Sequence, residues 1–96
     1  MIKVGIIGGA GYTAGELLRI LLNHSQVEIT FVNSSSNAGN KLYDVHEGLF
    51  GETEMTFTDE LPLDKIDAMF ICSAHGDSKK FLEAHEVPAN VKIIDL

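Results

Sequence analysis

A run of small residues near the amino terminus has the composition of a phosphate-binding turn. Residues 8–14 fit the spacing Gly9-x-Gly11-x-x-Ala14 and also the spacing Gly8-x-x-Gly11-x-x-Ala14. In both, one glycine allows a sharp turn, Gly11 lets a pyrophosphate approach the backbone, and the small residue at 14 lets a helix pack closely on a strand. The chemistry expected here is anion binding by backbone N–H groups, supported by a helix dipole.

The elements on either side of this run are those that such a turn requires. Residues 4–7 form an almost continuous apolar run, as expected for a strand covered on both faces. Leucines and an alanine at helical spacing then predict a helix over residues 14–22, with Thr13 as its N-cap and Glu16 at the capping-box spacing. A tight strand–helix turn without a ligand remains the alternative.

The rest of the chain continues to alternate strands with helices. Residues 27–32 predict a second strand, residues 33–40 a polar loop, and residues 41–51 no regular element. A weak strand at 54–58, a buried strand at 68–72, a helix ending at 86 and a last strand at 91–96 follow. This order predicts an α/β fold, a Rossmann-like doubly wound parallel sheet. We expect residues 1–96 to be the N-terminal part of such a domain, truncated where a further helix should cover the last strand.

The end of the second predicted strand distinguishes NAD from NADP. An NAD site places Asp or Glu there to bind the ribose 2′-hydroxyl, but no carboxylate lies between Glu28 and Asp44. Hydroxyls and a nearby ammonium suit a 2′-phosphate, which favours NADP. The candidate ligands are Ser34, Ser35, Ser36 and Lys41. An ordinary solvated serine loop is the alternative.

Composition and charge exclude several classes of protein. With 45% hydrophobic residues, 2 Pro and 1 Cys, the chain is not a disordered tail, a collagen-like repeat or a disulfide scaffold. Its net charge of −7 argues against nucleic-acid or anionic-membrane partners. Neither a secretory signal nor a transmembrane stretch is visible, so we expect a cytoplasmic protein. No acids or histidines have the spacing of a metal site, so no metal is expected.

The chain resembles the N-acetyl-gamma-glutamyl-phosphate reductases of arginine biosynthesis along its whole length. The matching motifs are Gly8-x-x-Gly11-Tyr12-Thr13-x-Gly15-Glu16-Leu17, Ser36-Asn37-Ala38-Gly39-x-Lys41, Asp44-x-His46-x-x-Leu49-x-Gly51, Ala74-His75-Gly76-x-Ser78 and residues 91–96. Two departures are visible. Ala14-Gly15 inverts the usual Gly-Ala order, which we expect to matter little where only smallness is needed, and Glu47 replaces a usual proline.

This resemblance implies NADPH-dependent reduction of N-acetylglutamyl 5-phosphate, a small-molecule substrate, to its semialdehyde with release of phosphate. It implies a cysteine thiolate and a histidine acid/base downstream of residue 96, so these residues alone are expected to bind the cofactor without catalysis. It also implies a homo-oligomer. After the fourth predicted strand it implies a loop beside the nicotinamide, for which a purely structural loop is the alternative. The cofactor-binding residues expected are Gly8, Gly9, Ala10, Gly11, Tyr12, Thr13, Ala14, Ser34, Ser35, Ser36, Lys41, Ser73, Ala74 and His75.

Three other candidates receive modest roles, and two rival functions remain. Cys72 lies in an apolar run, where a cysteine is a small core residue rather than a nucleophile. Asp44 and His46 are expected to be structural, in a loop beneath the cofactor.

The two rival functions are a fragment of an enzyme like aspartate-semialdehyde dehydrogenase and a non-catalytic NAD(P)-binding module.

Overall fold

Four parallel strands form one sheet in the computed structural model, which describes residues 1–72 and 77–96 and, of residues 77 and 78, the backbone alone. The strands lie in the order β2-β1-β3-β4, and all three neighbouring pairs are parallel. The predicted Rossmann-like sheet is therefore confirmed. Its elements in chain order are β1 (Ile2–Ile7), α1 (Tyr12–Leu22), β2 (Val27–Asn33), α2 (Leu42–Val45), β3 (Ala68–Ile71), α3 (Asp77–Ala84) and β4 (Lys92–Asp95).

The strand order reverses between β1 and β3. The chain goes from β1 through α1 to β2 on one side, and later places β3 against the other side of β1 before it continues outward to β4. Connections that leave two adjacent strands in opposite directions open a crevice at the carboxyl ends of those strands, and ligands of open α/β sheets bind there. The glycine-rich turn follows β1 at this point of the sheet.

Both faces of the sheet are covered by apolar side chains, because residues along a strand alternate between its faces. One buried cluster joins β1 to α1 and the segment after β2, and its largest members are Phe57, Ile6, Leu18, Leu42 and Leu49. The second cluster contains Phe31, Met69 and Ile71, with Phe81 of α3 packed against it. The apolar run in β1 thus has the two-sided burial that its sequence predicts.

Helix α1 begins two residues earlier than its capping pattern predicts. Gly11 is the N-cap, and the N–H of Gly15 donates to the Gly11 carbonyl at 3.1 Å, so Thr13 lies inside the first turn and the predicted Thr13 cap is wrong. Glu16 accepts a hydrogen bond from Nη2 of Arg19 at 3.0 Å instead of completing a capping box. A glycine N-cap leaves the first-turn amides without a side-chain acceptor.

The segment between β2 and β3 differs most from its prediction. Residues 41–51 contain α2 and a 3₁₀ turn at Glu47–Leu49, where no regular element was expected. The predicted strand at 54–58 is reduced to two isolated bridges, Lys41 with Thr56 and Asn33 with Thr58. The reason is that Phe57 exchanges backbone hydrogen bonds with residues 39 and 40, whereas Thr58 bonds to Val32 and Ser34, so no single partner strand runs alongside.

Candidate dinucleotide-binding site

Gly8 and Gly9 turn the chain out of β1 and press it against β2. Gly8 has a φ of +74°, in the left-handed region that glycine adopts without strain. The N–H of Gly9 donates to the carbonyl of Asn33, the last residue of β2, at 2.9 Å. A Cβ on Gly9 would lie 2.3 Å from Cγ1 of Val32, so this glycine is required by the packing of the turn itself.

Gly11 has a different reason to be glycine. Its φ of −78° and ψ of 167° are accessible to any residue. Among the described residues, the nearest atoms to a Cβ placed there are the carbonyl oxygens of Cys72 at 3.9 Å and Gly8 at 4.0 Å, which are ordinary contacts. Neither backbone strain nor local packing in that part of the chain demands glycine at 11. Glycine at position 11 leaves the backbone at the amino end of α1 exposed and without a side chain.

The amino end of α1 fits a phosphate group chemically. The first N–H groups of an α-helix have no intrahelical acceptor, and the dipole makes this end partially positive. The first turn of α1 contains no acidic residue, and its Gly11, Tyr12 and Thr13 are exposed. Ala14 is fully buried, so its small side chain brings α1 close to the sheet as its spacing predicts. These residues therefore supply hydrogen-bond donors to an anion, and the turn contains no carboxylate that would repel it.

The polar segment after β2 combines one buried serine with two exposed ones. Ser34 is buried; its N–H donates to the Thr58 carbonyl at 3.0 Å, and its hydroxyl accepts from Nδ2 of Asn37 at 3.3 Å. Ser35 and Ser36 lie exposed in a 3₁₀ turn, Ser35–Asn37, and Ser36 Oγ also accepts from Asn37 Nδ2 at 3.3 Å. The segment is therefore a turn fixed by hydrogen bonds, in which two serines are exposed to solvent.

Lys41 already has a partner. Its ammonium Nζ donates to the Glu54 carbonyl oxygen at 2.9 Å and lies 3.6 Å from the Glu54 carboxylate. The Lys41 side chain is 40% exposed and the Glu54 side chain 77% exposed, so water screens the ion pair and its contribution to stability is small. A nearby 2′-phosphate would compete with Glu54 for this ammonium.

The third predicted part of the site lies outside the described residues. This part comprises Ser73, Ala74 and His75, which follow β3 directly. Cys72, the last described residue before them, is half-buried, and its N–H donates to the Ile7 carbonyl at 2.8 Å. Burial raises the pKa of the Cys72 thiol, in agreement with the expectation that this cysteine is no nucleophile.

Alkylation of Cys72 provides a direct check of its chemical state. A raised thiol pKa leaves less thiolate at neutral pH, and thiolate is the reactive form. We expect iodoacetamide to modify Cys72 more slowly than a cysteine in a short unstructured peptide, as measured by mass spectrometry of the fragment that contains it. Faster modification would show an activated thiol and would contradict this assignment.

Two residues that the sequence does not assign to the turn lie close to it in the structure, and one of them is hydrogen-bonded to it. His46 Nε2 lies 2.7 Å from the Gly9 carbonyl oxygen, and the His46 ring is tilted against Phe57 with centroids 6.1 Å apart. Cε1 of Phe57 would lie 3.4 Å from a Cβ on Gly9. The Asp44-x-His46 motif pointed to a structural role for His46, but nothing in the sequence indicated these contacts.

No group of three or more His, Cys, Asp or Glu residues in ranges 1–72 and 77–96 is placed to hold a metal ion. In the same part of the chain, no helix has the length and apolar character needed to cross a membrane.

The parallel sheet, its reversal between β1 and β3, and the glycine turn at the amino end of α1 define a dinucleotide-binding domain. The chain belongs to the family of semialdehyde dehydrogenase NAD-binding domains, whose model matches residues 3–96.

Similar proteins agree with this assignment. Curated proteins named N-acetyl-gamma-glutamyl-phosphate reductase from Parabacteroides distasonis and Phocaeicola vulgatus are 73% and 71% identical to this chain over all 96 residues. The chain spans 30% of the length of each of these relatives. A solved structure of aspartate semialdehyde dehydrogenase with NADP from Candida albicans has a TM-score of 0.73 and 21% identity, covering 99% of this chain and 29% of that one. At that identity the likeness shows the fold alone.

Proposed function

We propose that this chain is the cofactor-binding part of an NADPH-dependent N-acetyl-gamma-glutamyl-phosphate reductase. The observation that carries the activity is the similarity of all 96 residues to relatives with that name. The complete protein would reduce N-acetylglutamyl 5-phosphate to the 5-semialdehyde and release phosphate. When bound, NADPH supplies the hydride for this reduction. The residues described above bind and orient the cofactor.

The pyrophosphate is assigned to the amino end of α1. The left-handed Gly8 and the packed Gly9 turn the chain, and the bare backbone at Gly11 allows close approach. The N–H groups of residues 11–14 then serve as donors at a first helical turn that contains no acidic residue. Ser73, Ala74 and His75 are proposed to line the nicotinamide, on the basis of the family resemblance.

The 2′-phosphate is assigned to the serine segment after β2. No carboxylate stands at the end of β2 to accept from a ribose 2′-hydroxyl, and Ser35 and Ser36 expose their hydroxyls there. Ser34 supports the segment from inside, because its hydroxyl and its N–H both have partners within the protein. Lys41 completes the proposed set, with its ammonium group moving from Glu54 to the 2′-phosphate.

Replacement of Lys41 with alanine measures its part in cofactor selection. We expect the Kd for NADPH to rise about 2- to 5-fold, because an ion pair in an exposed setting contributes up to about 1 kcal/mol, while the Kd for NADH stays unchanged. Lys65→Ala removes an exposed lysine from a different turn and serves as the matched control. An unchanged NADPH affinity in Lys41→Ala would remove Lys41 from the site.

The enzymatic proposal is tested with the complete gene product that contains these residues. Incubation with N-acetylglutamate 5-semialdehyde, phosphate and NADP should produce NADPH, followed by its absorbance, in the reverse of the biosynthetic direction. L-aspartate 4-semialdehyde serves as the alternative substrate. Preference for the aspartate compound, or inertness toward both, would contradict the proposed activity.

We also propose that the complete protein is a cytoplasmic homo-oligomer without nucleic-acid partners. The net charge of −7 over these 96 residues supports the absence of nucleic-acid partners. The homo-oligomer is proposed from the family resemblance. Sedimentation velocity of the complete protein tests the oligomer, which a monomer at micromolar concentration would contradict.

A further inference from the structure

The side chain of His46 bridges the glycine turn and helix α1. His46 follows α2, far along the chain from the turn, and its Nε2 lies 2.7 Å from the Gly9 carbonyl oxygen. A carbonyl oxygen only accepts hydrogen bonds, so Nε2 must carry the hydrogen. His46 is therefore the hydrogen-bond donor to the Gly9 carbonyl.

Gly15 allows the imidazole to reach this position. A Cβ on Gly15 would lie 2.6 Å from Nδ1 of His46 and 3.0 Å from its Cε1. The methyl group of Ala14 is instead fully buried in the core beneath α1. In this chain the glycine of the Ala14-Gly15 pair faces the histidine ring, and the alanine faces the core.

Both polar backbone groups of Gly9 are consequently engaged. Its N–H donates to the Asn33 carbonyl at 2.9 Å, and its carbonyl accepts from His46 at 2.7 Å. These two bonds hold the peptide groups on either side of Gly9 between β2 and the segment after α2. Gly11, the N-cap of α1, is only two residues further along.

We propose that His46 is a positioning residue for the cofactor, holding the glycine turn through Gly9 in the conformation that presents the amino end of α1 to the pyrophosphate. This inference rests on the proposed NADPH-binding function. If the turn is already ordered before binding, no conformational entropy is lost in ordering it when the cofactor binds. The affinity for the cofactor is therefore higher. His46 acts through Gly9 and does not touch the cofactor in this account.

Two substitutions at position 46 separate the hydrogen bond from the ring. His46→Phe keeps an aromatic ring against Gly15 and Phe57 but removes the donor to Gly9. His46→Gln removes the ring and keeps an N–H group at about the distance of Nε2. We expect the calorimetric Kd for NADPH of the complete protein to rise about 3- to 10-fold in His46→Phe, the contribution of one hydrogen bond, and to be restored to within about 2-fold in His46→Gln.

The control is His24→Phe, at the opposite end of α1. His24 is exposed, and its ring accepts from the Gln26 N–H at 3.1 Å, so it is also a hydrogen-bonded histidine. Its replacement should leave the NADPH Kd unchanged. A lowered melting temperature in His46→Phe with unchanged NADPH Kd would show a merely structural residue and overturn the inference.

A double-mutant cycle tests the contact with Gly15 independently. Gly15→Ala should displace the imidazole and raise the Kd for NADPH as His46→Phe does. In a His46→Ala background the same Gly15→Ala change should add less than about 2-fold, because the ring it displaces is gone. Fully additive effects would overturn the coupling.

Nitrogen NMR of the wild-type protein gives a readout that does not depend on cofactor or on variant folding. The ring ¹⁵N shifts of His46 should identify the Nε2–H tautomer or the doubly protonated ring, and a neutral Nδ1–H tautomer would overturn the bond to Gly9. If this signature is present and the wild-type protein does not bind NADPH, the proposed function fails while the His46–Gly9 contact stands. If the wild-type and the His46→Phe proteins bind NADPH equally, the inference alone fails.

Discussion

Replacement of Phe57 with alanine is expected to lower the free energy of unfolding by about 3–5 kcal/mol, the usual cost of deleting a fully buried aromatic ring. Phe57 is 1% exposed and belongs to the buried cluster between the sheet and α1. Its ring also lies beneath the glycine turn, near Gly9 and His46. The residual cavity would therefore remove support from the proposed site as well as from the core.

Urea unfolding of the complete protein measures the loss at position 57. Phe50→Ala is the matched control, because the Phe50 side chain is 74% exposed. Its ring packs edge-to-face against Tyr43, with ring centroids 5.1 Å apart. We expect the control to cost no more than about 1 kcal/mol. Equal destabilisation by the two changes would contradict the placement of Phe57 in the core.

Replacement of Gly11 with alanine is expected to raise the Kd for NADPH about 5- to 150-fold while leaving the unfolding midpoint almost unchanged. The fold-change follows from the about 1–3 kcal/mol that an extra methyl group costs in a closely packed contact. The stability expectation follows from the ordinary φ and ψ of Gly11 and from the absence of a close neighbour for its Cβ among the described residues. The cost would arise only against the bound pyrophosphate.

Gly9→Ala is the matched contrast, two residues away. Its Cβ would lie 2.3 Å from Cγ1 of Val32, so β2 or the turn must shift, and we expect about 1–3 kcal/mol of lost stability even without cofactor. Calorimetric titration and urea unfolding of both variants give the comparison. Loss of stability in Gly11→Ala with unchanged NADPH affinity would contradict the role assigned to Gly11.

Sequence patterns predicted the sheet because burial in this fold follows the periodicity of the chain. The apolar run in β1 is covered on both faces, and the helical spacing of apolar residues placed Ala14, Leu18 and Leu21 on the buried face of α1. Propensity was a weaker guide at the ends of elements. Thr13 has the better capping side chain, but the sharp turn at Gly8 and Gly9 begins the helix at Tyr12.

The sequence suggests the candidate site where the proposed ligands are neighbours in the chain. The glycine turn and the serine segment are continuous in the chain, so their spacing alone indicated phosphate binding. The His46–Gly9 bond and the place of Phe57 under the turn depend on how the segment after β2 folds back. That segment lacks a clear period, because its backbone hydrogen bonds go to two different parts of the chain. Tertiary contacts of this kind leave no local signal.

Calorimetric titration of the complete protein with NADPH and with NADH tests the central claim, that this chain forms an NADPH-binding domain, most directly. We expect saturable binding of NADPH, weaker binding of NADH, and a large loss of NADPH affinity in Gly11→Ala. Absence of binding by both nucleotides, or equal NADPH affinity in the wild-type and Gly11→Ala proteins, would contradict it.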